Sequence, residues 1–478
     1  MSKNIITVLI FSLLISLCKN NDHKTNDSMS GITPVDITTA EGIFKKNCTP
    51  CHGDDANVFV DRQWKHGSTK DSLSMSIASG FTGLMPEWGK QLKKEEIAGL
   101  AEYLTVAIEN RKKFDFADIN KTNLFASNQM TVKLDTVAKG LHNPWGIAFL
   151  PNGDLLYTDR DGHLYRNSKG VQSEIKGAPP VLVEGQGGLL DVETHPNFAK
   201  NNTIYLTYSK FIDSAGKKLS TTALMRAVLK GNELTNAKDI WVGMPYRDTR
   251  IHYGSRIEFD KAGYLFLSVG DRFQHLDSFP QRLDVDFGKI HRMNDDGSVP
   301  KDNPFVNTPG ARPTIWSMGH RNPQGLKIDK EAGIIWEHEH GPRGGDELNI
   351  IEKAKNYGWP VISYGINYDG KIITPLTAKE GMEQPKVKWV PSIAPSGITV
   401  VKGNKYPAWK GDILMGSLRF KYLNRVHLEG NQPGEQEQLL KNIGRVRFVE
   451  QAPDGFIYVG VEEPGFIYKL IPVTESPK

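Results

Sequence analysis

The chain of 478 residues is 38% hydrophobic and 24% charged, an ordinary globular balance that excludes a largely disordered polymer. Its 59 Lys and Arg against 55 Asp and Glu leave a net charge of +4, which gives no electrostatic basis for nucleic-acid binding or for a polybasic membrane-surface protein. Three cysteines exclude a disulfide-stapled fold, and 46 glycines with 27 prolines predict many turns between short strands.

Residues 1–18 read as an export signal: Lys3 supplies the charge and residues 5–17 form an apolar run. That run is too short to cross roughly 30 Å of hydrocarbon as a helix. It ends at Cys18 and switches to Lys19, Asn20, Asn21 and Asp22. The pattern resembles a bacterial lipoprotein signal, which implies an acylated Cys18 and a periplasmic, lipid-anchored protein of a Gram-negative-type bacterium. Leu17 departs from that family, which prefers a small residue there, and simple secretion is the alternative. Residues 19–36 are polar and read as a tether.

Cys48-Thr49-Pro50-Cys51-His52 is the attachment pattern for a c-type haem: two thiols three positions apart meet two vinyl groups, and the adjacent imidazole sits under the iron. A closed zinc site needs four ligands and the chain has no second Cys pair. A thioredoxin-like pair would need a preceding strand and no histidine. The sixth iron ligand should be a thioether, and Met85 in Gly83-Leu84-Met85-Pro86 lies in a proline-stiffened loop; Met75 competes but falls in a predicted helix, 71–79. Helices are also predicted over 39–47, containing Gly42 and Phe44, and over 93–108, where Ile97, Leu100, Ala101 and Leu104 recur at helical spacing beside Tyr103. Residues 37–110 resemble class-I cytochromes c. The resemblance implies that the first and last helices cross, a glycine on one meeting an aromatic on the other. A haem with His52 and Met85 as axial ligands transfers electrons and keeps no open position, so another part of the chain must supply them.

Residues 111–130 are polar and read as a linker. From 131 to 478 one pattern recurs: an alternating run, a turn rich in Pro, Asn, Asp or Gly, and a second β-rich run. It appears at 145–166, 190–208, 256–271, 325–339, 398–418 and 446–461. Six units of roughly 57 residues, against about 40–50 for a four-stranded blade, predict an all-β six-bladed β-propeller with long loops behind a small all-α cytochrome c domain. A β-sandwich is the structural alternative, but it has no reason to repeat six times.

Gly319-His320-Arg321-Asn322-Pro323-Gln324-Gly325, Glu339-His340-Gly341-Pro342 with Gly344-Gly345-Asp346-Glu347, Asn356-Tyr357-Gly358-Trp359-Pro360 and Lys301-Asp302-Asn303-Pro304 are the most specific motifs. With residues 187–195, 252–256 and Gly270-Asp271, they resemble the soluble quinoprotein glucose/sorbosone dehydrogenases, including the aldose sugar dehydrogenases, over nearly all of 135–472. The resemblance implies a pyrroloquinoline quinone cofactor with Ca²⁺ and oxidation of the C1 hydroxyl of a sugar. It implies His252 as general base, Asp271 as its orienter, and Arg321 and Asn322 at the reactive quinone carbonyls. The backbone carbonyls of Gly341 and Pro342 would hold Ca²⁺. Gln186, Ser392, Arg419, Arg445 and Arg447 would line the remaining cofactor edge. Arg419 stands where relatives often have lysine and Ser392 where some have threonine.

The chemistry agrees with that placement. Three carboxylates on the cofactor call for cations with fork geometry, and Arg445 and Arg447 alternate on one strand face. A neutral imidazole suits removal of a hydroxyl proton. His338 and His340 also alternate and could be metal ligands, but the neighbouring Gly-Pro explains the segment better. Asp295-Asp296-Gly297-Ser298 lacks the spacing of a calcium loop and reads as a turn. The expected function is a periplasmic quinohaemoprotein that oxidises an aldose or related alcohol and passes electrons through its haem to an external acceptor, a soluble cytochrome or respiratory chain. The alternatives are a Ca²⁺-dependent propeller hydrolase or lactonase carrying a cytochrome, and a redox-sensing binding lipoprotein.

Overall fold

Helix α1 (Ile37–Asn47) starts where the Asp36 carboxylate accepts the Thr39 N–H at 3.0 Å. In the computed structural model, which describes residues 32–52, 66–81, 85–109, 123–128, 130–273, 278–368 and 372–473, helix α2 (Thr49–His52) follows at once. Cys18, the export signal and most of the tether and linker lie outside those residues. Thr69 caps α3 (Lys70–Ser79), and Glu96 reaches back to the Lys93 N–H at 2.7 Å to start α4 (Lys94–Glu109). The apolar stripes of these helices meet in one cluster of Phe44, Leu73, Ile77, Trp88, Ile97, Leu100, Ala101 and Leu104. Cys48 and Met85 pack against it.

The first and last helices pack together as expected, but not through Gly42. Gly42 faces open space, because it lies two residues from both Ala40 and Phe44, which point inward one turn apart. The aromatic contact is Phe44 against Tyr103, with ring centroids 5.6 Å apart. The close-packed glycine is Gly99 of α4, where a Cβ would lie 2.4 Å from the Val35 side chain.

The rest of the described chain forms six antiparallel sheets. Their inner strands are Pro144–Phe149, Leu189–Thr194, Ile257–Phe259, Pro323–Asp329, Pro395–Val400 and Val446–Gln451. Each pairs with the next strand outward, and each such hairpin is one of the six repeats read from the sequence. The second strands Leu155–Asp159, Leu265–Val269, Ile413–Ser417 and Ile457–Val461 are buried at every residue, since neighbouring blades cover both faces. The ring closes when Thr131–Ala138 pairs with Phe466–Val473, setting Leu134 opposite Leu470. Part of the segment read as linker joins that blade: Leu124–Ala126 is its fifth strand.

Arg256 pins the hub. Its guanidinium donates to the Gln324 carbonyl at 2.9 Å, the Arg447 carbonyl at 3.0 Å, the Trp145 carbonyl at 3.2 Å and the Asp191 carboxylate at 3.2 Å. It also lies over the Trp145 ring at 4.0 Å. With its own strand, one side chain thereby joins five of the six blades.

Candidate active site

His252 stands ahead of the third blade's inner strand in the left-handed region, with φ of +57°, which is costly for a residue with a Cβ. Surroundings hold it there: its N–H donates to Gln186 Oε1 at 2.8 Å, and Nδ1 lies 2.7 Å from Asp271 Oδ1. Asp271 is delivered by the next strand through Gly270, where a Cβ would fall 2.2 Å from the His252 carbonyl. The other Asp271 oxygen accepts the Trp359 indole N–H at 2.8 Å. Burial, reinforced by the Arg321 charge, pushes the His252 imidazole down to about 4. Burial opposes ionisation of Asp271 too, yet His252, Arg321 and Trp359 together hold it below the usual carboxylate value. An ionised Asp271 requires a proton on Nδ1, which leaves Nε2 of a neutral imidazole with a free lone pair.

Arg321 comes from the turn before the fourth blade. Its N–H donates to Glu339 Oε2 at 2.6 Å, and its guanidinium donates to the carbonyls of His340 at 2.9 Å and Gly341 at 2.6 Å. The Arg321 guanidinium therefore occupies the Gly341 carbonyl, one of the two oxygens expected to hold Ca²⁺. Asp346 fixes the turn by accepting the Gly341 N–H at 2.8 Å, and its second oxygen accepts the Ala394 N–H at 2.7 Å and the Ser392 hydroxyl. Arg419 donates to the Ser392 carbonyl at 3.1 Å.

Arg445 and Arg447 share Glu462, at 2.8 Å and 2.7 Å. Against the push of burial, the two guanidiniums hold Glu462 down to about 2. One carboxylate between two arginines leaves a net positive charge to meet an anionic ligand. Arg447 also donates to Gln324 Oε1 at 3.0 Å, and Gln324 donates to Asn322 Oδ1 at 3.2 Å. Arg445 donates to the carbonyl of Leu418, next to Arg419. Gln186, His252, Asp271, Arg321, Asn322, Gly341, Ser392, Arg419, Arg445 and Arg447 thus lie around one hub; Pro342 follows Gly341 in the same turn.

Three residues that hold this set were given no role in the sequence reading. Trp359 and Asp346 sit inside the quoted motifs, which was their only signal, and Glu462 had none. His338 and His340 are tied through Nε2 to the Gly397 carbonyl at 2.9 Å and the Pro395 carbonyl at 2.7 Å, so both serve the joint with the fifth blade. Beneath them His320, Glu337 and Glu339 bring their ligand atoms within 4.8 Å of one another, all buried. The alternation of Glu337 and Glu339 along one strand was the readable sign of that cluster.

In the helical domain, Met85 is pinned to Phe81 by two backbone hydrogen bonds of 2.8 Å and touches the apolar cluster. Met75 is 66% exposed, which excludes it from the same wall. Cys48 and Met85 border the same apolar cluster, and the half-buried His52 lies one helical turn beyond Cys48, its N–H donating to the Cys48 carbonyl at 2.8 Å; thiol, imidazole and thioether are a donor set that fits a covalent haem. The Cys51 side chain lies outside the described residues.

The glucose/sorbosone dehydrogenase family model matches residues 141–469, and that of the cbb3-type cytochrome c oxidase subunit III matches residues 35–104. Aldose sugar dehydrogenase YliI of Escherichia coli is 39% identical over 349 residues, which span 72% of this chain and 93% of its own length. The crystal structure of the soluble aldose sugar dehydrogenase from Escherichia coli, in the apo form, superposes with a TM-score of 0.68 at 37% identity, covering 72% of this chain and 100% of that one. The PQQ-bound aldose sugar dehydrogenase from Streptomyces coelicolor does so with a TM-score of 0.59 at 29% identity, covering 73% and 99%.

Proposed function

Because the chain belongs to the glucose/sorbosone dehydrogenase family and carries a cytochrome c domain ahead of it, we propose that it oxidises the C1 hydroxyl of an aldose and delivers the electrons to its own haem. The observation that carries this reading is the buried pair of His252 and Asp271, with Nδ1 2.7 Å from the carboxylate. Pyrroloquinoline quinone, when bound, supplies the two-electron acceptor for the C1 hydride; the protein's side chains do the rest. Nε2 of His252 takes the hydroxyl proton, and Asp271 stabilises the imidazolium that forms, as a buried carboxylate does in other base–orienter pairs. Arg321 and Asn322 orient the reacting edge of the cofactor, and Arg321 offsets negative charge that develops there. Gln186, Ser392, Arg419, Arg445 and Arg447 would hold its remaining edge, and the carbonyls of Gly341 and Pro342 would hold Ca²⁺.

The sugar loses a hydride and a proton to become a lactone. Cys48, Cys51, His52 and Met85 would hold a haem, which would supply a one-electron route to an external acceptor such as a soluble cytochrome. We place the protein in the periplasm, anchored through an acylated Cys18. Purified protein reconstituted with the quinone and Ca²⁺ should reduce its haem when given an aldose, across a panel that ranks the sugars. Haem reduction of equal rate without the quinone would refute the reading.

A further inference from the structure

The two domains touch where their redox groups would be held. Arg343 directly follows the Gly341-Pro342 turn on the propeller's rim, and its backbone is clamped to Ile366 by hydrogen bonds of 3.0 and 3.2 Å. From there its guanidinium donates to the carbonyl of Asn47, the last residue of α1, at 2.7 Å. The same guanidinium lies 5.7 Å from the Trp88 ring centroid, three residues beyond Met85. One cation therefore reaches the residue that precedes the attachment motif and the ring that follows the thioether loop. It also meets the negative end of α1, where a positive charge is favourable.

Arg419 makes the second contact. One arm of its guanidinium donates to the Ser392 carbonyl in the pocket wall, and the other donates at 3.1 Å to the carbonyl of Thr49, inside the Cys48–His52 motif. A planar fork with arms aimed at carbonyls of two different domains explains the arginine, since a lysine ammonium is a point donor without that fixed spread. From Arg321 the contacts run without a break through Gly341, Asp346, Ser392 and Arg419 to Thr49.

We propose that Arg343 and Arg419 form a two-point latch that seats the haem-attachment segment over the rim of the propeller's cofactor pocket, making this contact the surface across which electrons leave the propeller. The latch rests on the dehydrogenase reading for its purpose but not for its existence, and the test separates the two.

Arg343 touches no group assigned to sugar or cofactor, so Arg343→Ala is the informative variant in the full-length holoenzyme. Hydrogen–deuterium exchange over residues 45–52 should accelerate about tenfold on losing the contact. After mixing with aldose, haem reduction should slow about tenfold because the domain is then held only by the Arg419 contact and the linker. Reduction of a small phenazine dye, which takes electrons from the propeller directly, should stay at the parent rate. Unchanged exchange together with unchanged haem reduction would overturn the latch. Should Arg343→Ala fail to fold, judged by its haem spectrum and melting, Arg343→Lys and Arg419→Lys give the same exchange readout; parent-like protection in both would equally overturn it. If aldose reduces neither dye nor haem in the parent protein, the dehydrogenase reading fails, while exchange on the quinone-free protein still decides the latch.

Discussion

The haem domain and the propeller hub bury charge in opposite ways. Among the described residues of the helical domain, only Thr49 and Ser74 are buried polar groups. The propeller buries Arg256, Arg272, Lys289, His252, Asp271 and many more. A covalently bonded cofactor needs an apolar wall and two axial donors, which a short motif and one methionine supply. A cofactor held without covalent bonds needs opposing charges fixed in place beforehand, and each buried cation must then have its own partner. Asp191 is that partner for Arg256, Glu462 is shared by the half-buried Arg445 and Arg447, and the left-handed backbone of His252 is the strain that the arrangement stores.

The sharpest way to break this comparison is His252→Ala. Aldose oxidation should fall by about 10³-fold, as loss of a general base entails, while the haem spectrum of the other domain stays unchanged; parent-level turnover would remove His252 from the chemistry. Next comes Glu462→Gln, which leaves Arg445 and Arg447 without their shared carboxylate. The propeller should lose about 3 kcal/mol of stability, as breaking a buried ion pair does, with the helical domain's denaturant transition unmoved. A common shift of both transitions would contradict the separation.

The pH response is a smaller effect. Because burial and Arg321 press His252 down to about 4, the base stays neutral well below the ordinary histidine range. kcat/KM should hold through mild acid and fall only towards pH 4; a limb at pH 6.5 would mean an imidazole open to water. Stability should decline across the same window, since the unfolded chain protonates this histidine near 6.5 and the native protein only near 4. The smallest effect belongs to Gly42→Ala, which places a methyl in open space on α1. It should stabilise the helical domain by about 0.5–1 kcal/mol, measured by chemical denaturation, and leave the propeller as it was.

Legibility in the sequence followed how local each interaction is. Cys48 to His52 is contiguous, and each inner hairpin of the propeller pairs nearby residues across a turn marked by Gly, Asn, Asp or Pro, so haem motif and blades could be read directly. The His252–Asp271 pair was within reach because it spans one hairpin. Trp359 sits 88 residues from the Asp271 it serves, and Asp346 is 46 from Ser392, separations at which pattern carries no signal. Asn47 and Arg343 are 296 residues apart and meet through a backbone carbonyl, which every residue has. Gly42 was misjudged because its presence was legible but the face it occupies was not. Leu124–Ala126 is too short to show any period and becomes a strand only by pairing with Thr131–Ala138.

Arg256 gives the ring its cooperativity. Its acceptors belong to the first, second, fourth and sixth blades, so swinging any of those four outward strips a buried guanidinium of a partner. An open stack of repeats can fray from its ends, each unit answering only to its neighbours. Here the wheel is riveted at its axle, and it should resist such fraying.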